Sequence, residues 1–157
     1  MSRKRKLNKK RILKYDQKYS SFLVSKFINI IMISGNKELS RYIVYKVLSL
    51  IKSRYKINPL IIFEKAIYNA KPSIELKKKK VGGSNYKIPV KITNDRGIYI
   101  SISWIRYFAI KRKEKKFYIS LFKEIIDTYN GNSGPISNKI ELYKLADLNR
   151  AFAHFAF

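Results

Sequence analysis

The hydrophobic residues of this chain have a different spacing in one internal segment, and that segment constrains the fold more than any other feature. Ahead of Pro72 they recur at helical intervals, as in Leu23, Phe27 and Ile31, which is typical of amphipathic helices. Residues 73–92 instead alternate between apolar and polar side chains, which is typical of β-strands. Helical spacing returns further along. The pattern therefore predicts a mainly α-helical fold with one inserted β-hairpin.

Three helices are predicted before the hairpin. The first begins near Tyr19 and ends at Gly35, since glycine is common just after a helix. Asn36 supplies a side-chain cap for the second, and Asn58 followed by Pro59 is a strong start signal for the third. The apolar stripe predicted for the second helix is Leu39, Ile43, Val47, Leu50 and Ile51. The core face predicted for the third, which Pro72 should stop, is Leu60, Phe63, Ile67 and Ala70.

The hairpin is predicted over residues 73–92. Gly82 and Gly83 lie between its two alternating runs, and glycine readily adopts the positive φ that a tight hairpin turn requires. Pro89 suits a strand with an open edge. The lysine run that ends at Lys80 lies directly before the tip, so a protruding hairpin would carry cations beyond the protein surface.

The segment after the hairpin fits two structures. Residues 98–103 alternate as a strand does, yet their isoleucines also share one helical face with Ile105 and Ala109. The residues alone favour the helix only slightly. A fifth helix is then predicted with Phe117, Leu121, Ile125 and Thr128 on one side. A loop is predicted over residues 130–135, and the face predicted for a last helix is Leu142, Leu145, Asn149 and Phe152.

Charge is the second strong constraint. Thirty-five Lys and Arg stand against ten Asp and Glu, for a formal net charge of +25 on 157 residues. Like charges at this density repel one another, so a polyanionic partner is expected, and nucleic acid is the leading candidate. Hydrophobic residues make up 46% of the chain, enough for a core. We therefore expect one helical domain over residues 19–157 behind an extended basic arm at 1–18.

The cations concentrate in three clusters: the arm, the hairpin and one turn between helices. A charge run is usually a solvated face, and edge-strand lysines often prevent aggregation. Four consecutive lysines favour contact with a polyanion instead, and the neighbouring glycines would let the backbone approach it closely. The residues are Arg3, Arg5, Lys9, Lys10 and Arg11 in the arm, Lys77, Lys78, Lys79 and Lys80 in the hairpin, and Lys111, Arg112, Lys115 and Lys116 in the turn.

Several tyrosines lie among these cations and have two interpretations. Tyrosine rings stack on unpaired bases in many RNA-binding proteins. More often such rings are half-buried packing residues, and we favour packing for any single one of them. The tyrosines concerned are Tyr15, Tyr19, Tyr42, Tyr55, Tyr86 and Tyr107.

Catalytic chemistry has little support in the sequence. There is no cysteine, and the single histidine, His154, has no carboxylate close to it in the chain. Glu124 and Asp127 are interpreted as surface ion pairs beside Lys123, with a magnesium-dependent nuclease as the minor alternative. No metal, cofactor or catalytic residue is expected, and the longest apolar run is too short to span a membrane, so no membrane partner is expected either.

Two motifs resemble one known family. Residues 79–90 (KKVGGSNYKIPV) and 146–155 (ADLNRAFAHF) resemble the hairpin and the C-terminal segment of the universal small-subunit ribosomal protein seven family, in its bacterial and organellar form. Residues 43–45, 102–106 and 127–131 match the same family in position and type. The similarity covers essentially the whole chain in unbroken order.

The resemblance implies both a fold and a role. The fold is a bundle of about six helices with a protruding hairpin, in which residues 98–110 are helical. The role is primary binding to the 3′ major domain of small-subunit rRNA, nucleating assembly of the subunit head beside neighbouring ribosomal proteins. The hairpin would lie near exit-site tRNA and mRNA. The rRNA-binding residues implied are the three cationic clusters named above together with Gly82, Gly83, Ser84 and Arg150.

The alternative to this role is a free-standing basic RNA- or DNA-binding protein, such as a chaperone or regulator. The chain also departs from the family pattern, because lysine stands at Lys79 and Lys80 where arginine is common, which keeps the charge and loses bidentate geometry. Lysine far outnumbers arginine, and isoleucine, tyrosine and asparagine are abundant, as an A/T-rich genome would produce. We therefore expect a plastid or other organellar ribosome rather than a bacterial cytoplasm.

Overall fold

The computed structural model describes residues 14–156, and within them six α-helices, one antiparallel hairpin and a short C-terminal 3₁₀ segment. The predicted mainly helical fold is confirmed. The predicted sites Arg3, Arg5, Lys9, Lys10 and Arg11 lie outside the described residues. The elements in order are α1 (Phe22–Ile31), α2 (Lys37–Tyr55), α3 (Pro59–Ala70), β1 (Ile74–Val81), β2 (Ser84–Lys91), α4 (Asn94–Lys111), α5 (Phe117–Asn130), α6 (Gly134–Leu148) and the 3₁₀ segment (Arg150–Ala156).

Helices α1 to α5 enclose the hydrophobic core. Phe27 of α1 and Phe63 of α3 meet edge to face at its centre, with ring centroids 5.0 Å apart, and both are almost fully buried. Ile51, Ile102 and Leu121 bring α2, α4 and α5 into the same cluster. Truncation of either phenylalanine to alanine would typically cost about 3–5 kcal/mol, because the cavity left behind collapses only in part.

Side chains cap the first three helices. Ser21, Asn36 and Asn58 accept hydrogen bonds from the backbone amides of Val24, Leu39 and Leu60, respectively. Both asparagine caps follow the sequence prediction. The first helix begins slightly later than predicted, because the chain makes a turn at residues 17–19 before the Ser21 cap.

The segment after the hairpin is helical, as the family resemblance implies. The isoleucines at 98, 102 and 105 and Ala109 are all buried on the inner face of α4. Packing against the other helices outweighs the local strand-like alternation, because this face supplies one side of the core. The half-buried Trp104 lies beside this face and not at the centre of the core.

Two predicted faces are displaced. In α2 the buried positions include Val44, Val47, Leu48 and Ile51, whereas Leu39 is 54% exposed. The predicted stripe is therefore rotated by about one residue, because the neighbouring Ile43 and Val44 are both apolar and sequence spacing cannot choose between them.

The predicted last helix is also wrong in extent. Helix α6 starts inside the predicted loop, at Gly134, and stops at Leu148, after which the chain forms the 3₁₀ segment. Leu145 is exposed, and Pro135 and Ala146 are the buried residues of α6. The helix lies at the edge of the bundle, so the apolar periodicity on which the prediction relied corresponds to no buried face.

The hairpin has the predicted position and turn. Ile74 pairs with Lys91 and Val81 with Ser84, so Gly82 and Gly83 form a two-residue turn with φ values of +56° and +90°. The 3₁₀ segment packs against β2, where the rings of Tyr86 and Phe152 have centroids 4.9 Å apart. The C-terminal segment thereby supports one face of the hairpin.

Candidate nucleic-acid interface

The hairpin sorts its lysines onto two faces. Residues paired across an antiparallel ladder lie on the same face, and successive residues alternate. Lys77 and Lys79 pair with Ile88 and Tyr86, so they share the face that meets the 3₁₀ segment. The opposite face carries Lys78 and Lys80 together with two further exposed lysines of β2, Lys87 and Lys91. We call these four residues the lysine face.

Lys87 and Lys91 were missed by the sequence prediction. They are single lysines separated by apolar residues, so they form no charge run. The signal that identifies them is the strand alternation read together with the pairing register, because Lys78 lies directly opposite Lys87. The hairpin tip completes this region, since Gly82, Gly83 and Ser84 are all exposed beside Lys80.

The turn between α4 and α5 is held by carboxylates of α5. Arg112 donates from Nε to Glu124 Oε2 at 2.5 Å and from Nη2 to Asp127. Lys123 of α5 donates a hydrogen bond at 2.5 Å to Glu114, which lies in the same turn as Arg112. The structure thus gives Arg112 a role within the protein, while Lys111, Lys115 and Lys116 are exposed around it. Contact of these residues with rRNA stays a prediction.

Glu124 is not the surface residue that we expected. Its side chain is 2% exposed, and Oε1 has no hydrogen-bond partner among the described residues. Burial raises the pKa of Glu124, although the hydrogen bond and positive charge of Arg112 oppose the rise. A carboxylate in this position neutralises a guanidinium and orders a turn. Neither Glu124 nor Asp127 belongs to a group of residues suited to hold a metal ion within the described part of the chain.

Carboxylates also lie at the roots of the other two cationic segments. Asp16, where the arm meets the domain, is 6% exposed and accepts hydrogen bonds from the backbone amides of Lys18 and Tyr19 and from the Tyr45 hydroxyl. Glu75, at the start of the hairpin, pairs with Arg96 at 3.0 Å and more distantly with Lys77. The few acidic residues of the chain thus fasten its basic segments to the helical core.

Arg150, the last of the predicted rRNA-binding residues, lies beyond helix α6. Arg150 is exposed at the start of the 3₁₀ segment, whose following residues pack against β2, so it belongs to the hairpin side of the molecule.

Within residues 14–156, none of the helices combines the length and apolar character needed to cross a bilayer.

The chain was compared with known proteins. A sequence model described as Ribosomal protein S7p/S5e matches residues 2–150. Proteins named small ribosomal subunit protein uS7 are similar over nearly their full length: the one from Desulfatibacillum aliphaticivorans is 40% identical over 99% of both chains. Those from Carsonella ruddii strain PV and Laribacter hongkongensis are 43% and 38% identical, over 99% and 100% of both chains, respectively. With its six helices, its glycine-turned hairpin and a match of this extent, the chain belongs to the S7p/S5e family of ribosomal proteins.

Proposed function

We propose that this protein binds the 3′ major domain of small-subunit rRNA, nucleates assembly of the subunit head with neighbouring ribosomal proteins, and places its hairpin near exit-site tRNA and mRNA. Family membership makes the chain a structural, non-enzymatic protein of the small ribosomal subunit, which removes the nuclease alternative. The rRNA domain bound, the role in head assembly and the position of the hairpin are parts of our proposal. The observation that supports them best is the lysine face, which presents four exposed cations on one side of the hairpin.

The lysine face suits a phosphate backbone. The hydrogen-bonded ladder places the Cα atoms of its four lysines on one face, so their exposed ammonium groups share one side of the hairpin. Each neutralised phosphate releases condensed counterions, which makes such binding strong and salt-dependent. The exposed glycine turn beside it has no side chain to hinder a close approach by a ribose–phosphate chain.

The hairpin supplies its own matched test. We expect Lys78→Gln with Lys80→Gln to weaken binding to a 3′ major-domain rRNA transcript and to reduce the salt slope by about 0.7–0.9 for each lost phosphate contact. Lys77→Gln with Lys79→Gln removes the same charge from the face that meets the 3₁₀ segment and should have a smaller effect. Affinity would be measured by filter binding at several KCl concentrations. If the two pairs of substitutions weaken binding equally, the lysine face contributes only through the net charge of the protein and not as a contact surface for RNA.

Sedimentation separates the ribosomal role from a free-standing RNA- or DNA-binding protein. A constituent of the subunit should remain with small subunits through a moderate salt wash. Recovery of the protein mainly in free fractions would favour the chaperone or regulator instead.

The compartment is a separate proposal. We assign the protein to a plastid or other organellar ribosome on its lysine-, isoleucine- and asparagine-rich composition, which reflects A/T-rich codons. The same composition is expected in any A/T-rich bacterial genome, and the relatives named above come from bacteria. Locating the gene decides the question: a chromosomal position in a bacterium would overturn the organellar assignment.

A further inference from the structure

Helix α2 carries a basic and aromatic surface that none of the three predicted clusters includes. Tyr42, Lys46, Ser49, Lys52 and Lys56 recur at intervals of three or four residues, so they follow one face of the helix and its C-terminal cap. At 1.5 Å per residue this face is about 20 Å long. We call it the α2 groove, because two hollows lie along it.

The two hollows meet at Lys18. One, of about 680 Å³, lies between Lys18 and Lys52, Lys56 and Pro59, and the other, of about 370 Å³, lies between Lys18 and Tyr42, Tyr45 and Lys46. The Lys18 ammonium is 5.3 Å from the centre of the Tyr45 ring. Neither hollow has a carboxylate among its lining residues. The Asp16 carboxylate lies behind Tyr45 and is buried, so the charges exposed to the hollows are those of Lys18, Lys46, Lys52 and Lys56.

Tyr42 is placed to receive a flat partner. Its side chain is 57% exposed. The ammonium of Lys46 is 2.9 Å from the Tyr42 hydroxyl but 5.2 Å from the ring centre, so it lies beside the hydroxyl end of the ring and does not cover its face. The hydrogen bond from Lys46 and its positive charge lower the pKa of Tyr42, and Lys116 contributes in the same direction. An exposed aromatic ring thus lies beside two positive charges, those of Lys46 and Lys116.

The groove reaches one of the predicted clusters. Lys46 lies 4.6 Å from the ring of Tyr118, at the start of α5, next to the turn that carries Lys115 and Lys116. From this turn, a chain of phosphates has a cationic path along α2 through Lys46 and Lys18 to Lys52.

We propose that the α2 groove binds an unpaired strand of RNA, with phosphates along Lys18, Lys46 and Lys52 and a base stacked on Tyr42. Grooves for single-stranded nucleic acid combine a cationic track with exposed aromatic rings, and only an unpaired base offers its face to such a ring. The inference rests on the proposed rRNA-binding function and names the part of the RNA that this surface takes.

A second tyrosine–lysine pair provides the control. Lys71 lies 5.2 Å from the ring centre of Tyr68, the same separation as between Lys46 and Tyr42, and Tyr68 is 48% exposed. The hollow that includes Tyr68 is lined by Glu64 and Asp95 as well, so it is less favourable for phosphate than the α2 groove. The double substitution removes one tyrosine ring and one lysine charge at each site. The two sites differ in the charge of their surroundings.

The test uses the full-length protein and two RNAs: a fluorescein-labelled ten-nucleotide single strand and the 3′ major-domain transcript. We expect Tyr42→Ala with Lys46→Gln to weaken single-strand binding about ten-fold, as the loss of one stacked base and one phosphate contact predicts, and to reduce the salt slope by about 0.7. Tyr42→Phe should bind as the original chain does, since the ring remains. Tyr68→Ala with Lys71→Gln should have little effect. Circular dichroism establishes that each variant is folded.

Three outcomes would overturn the groove. The first is that the Tyr42–Lys46 variant binds the single strand as tightly as the original chain does. The second is that the Tyr68–Lys71 variant loses as much affinity as the Tyr42–Lys46 variant. The third is that the substitutions in the groove weaken the binding of a polyglutamate peptide and leave RNA binding unchanged. If the lysine-face variant still weakens binding to the transcript, the rRNA-binding function stands without the groove. If the unsubstituted protein does not bind the transcript, both proposals fail.

Discussion

Asp16 shows how much a single residue can decide in this chain. It is one of ten acidic residues, and it lies where the basic arm joins the domain. Its carboxylate accepts the Tyr45 hydroxyl at 2.8 Å and two backbone amides of the following turn, and Ser25 donates to the Lys14 carbonyl close by. Together these bonds hold residues 14–19 against α1 and α2. The buried carboxylate of Asp16 therefore orders the first of the described residues.

The hydrogen bond between Tyr45 and Asp16 makes a contribution to the free energy of unfolding that depends on pH. Burial, together with the hydrogen bond and charge of Asp16, raises the pKa of Tyr45 from 10.0 to about 12. Because the folded pKa exceeds the unfolded one, the contribution is complete below pH 10 and is lost as the pH rises toward 12. We expect the original chain to lose more unfolding free energy than Tyr45→Phe between pH 9 and pH 11.5, as measured by urea unfolding.

Tyr143 provides a control of opposite sign. Burial alone would raise its pKa, but hydrogen bonds with Ser73 and the charges of Lys139 and Lys71 lower it below the ordinary value. A lowered pKa makes the folded state gain stability relative to the unfolded state as the hydroxyl ionises. Tyr143→Phe should therefore lose more stability than the original chain over the same pH interval. The same direction of change in both variants would contradict the opposite pKa shifts of Tyr45 and Tyr143.

At the scale of elements, local chemistry decides where a helix or turn begins, and packing decides which face is buried. Asn36, Asn58 and the two hairpin glycines are recognisable because each satisfies a backbone requirement within a few residues. The buried face of α2, the helical state of residues 98–110 and the end of α6 depend on partners far along the chain. For these features the prediction from sequence was wrong or left two alternatives open.

The hairpin turn gives a prediction at this scale. Gly82 has φ +56° and no atom within 4 Å of an added Cβ, so substitution there would strain only the backbone. We expect Gly82→Val to destabilise the hairpin by about 1–2 kcal/mol, because a β-branched residue is strongly disfavoured at positive φ. Hydrogen exchange of the amides in β1 and β2 should then be about 5–30 times faster.

Gly82→Asn is the matched control for the turn, since asparagine tolerates the left-handed conformation and is frequent in turns of this type. Its exchange rates should stay near those of the original chain. If valine and asparagine accelerate exchange equally, the turn conformation is not what holds the two strands together.

At the scale of the whole molecule, the net charge of +25 is the dominant fact. Most of the acidic residues are already engaged: Glu38, Asp95 and Glu114 pair with Arg41, Lys26 and Lys123, in addition to the carboxylates at the three roots. Lys and Arg outnumber these carboxylates so far that the formal net charge stays strongly positive. The isolated protein should therefore be destabilised by its own field.

Added salt should relieve this repulsion. We expect the Tm of the free protein to rise by several degrees between 50 and 500 mM NaCl, because the Debye length falls from well above the spacing of neighbouring cations to below it. Affinity for RNA should fall over the same interval. Thermal unfolding followed by circular dichroism measures the first effect and filter binding the second. A Tm that is independent of salt would mean that the existing ion pairs already compensate the field.

The amino-acid sequence by itself determined the helical class, the hairpin with its glycine turn, the basic character of the surface and the family. These depend on spacing, on caps and turns within a few residues, and on composition, all of which are local properties of the chain. Tertiary structure alone decided that Arg112 is tied to Glu124 and Asp127, and which face of the hairpin packs against the 3₁₀ segment. It also aligned Lys18, Tyr42 and Lys46 along α2. The physical reason is that burial and charge pairing depend on neighbours brought together by folding, across separations such as the 29 residues between Asp16 and Tyr45.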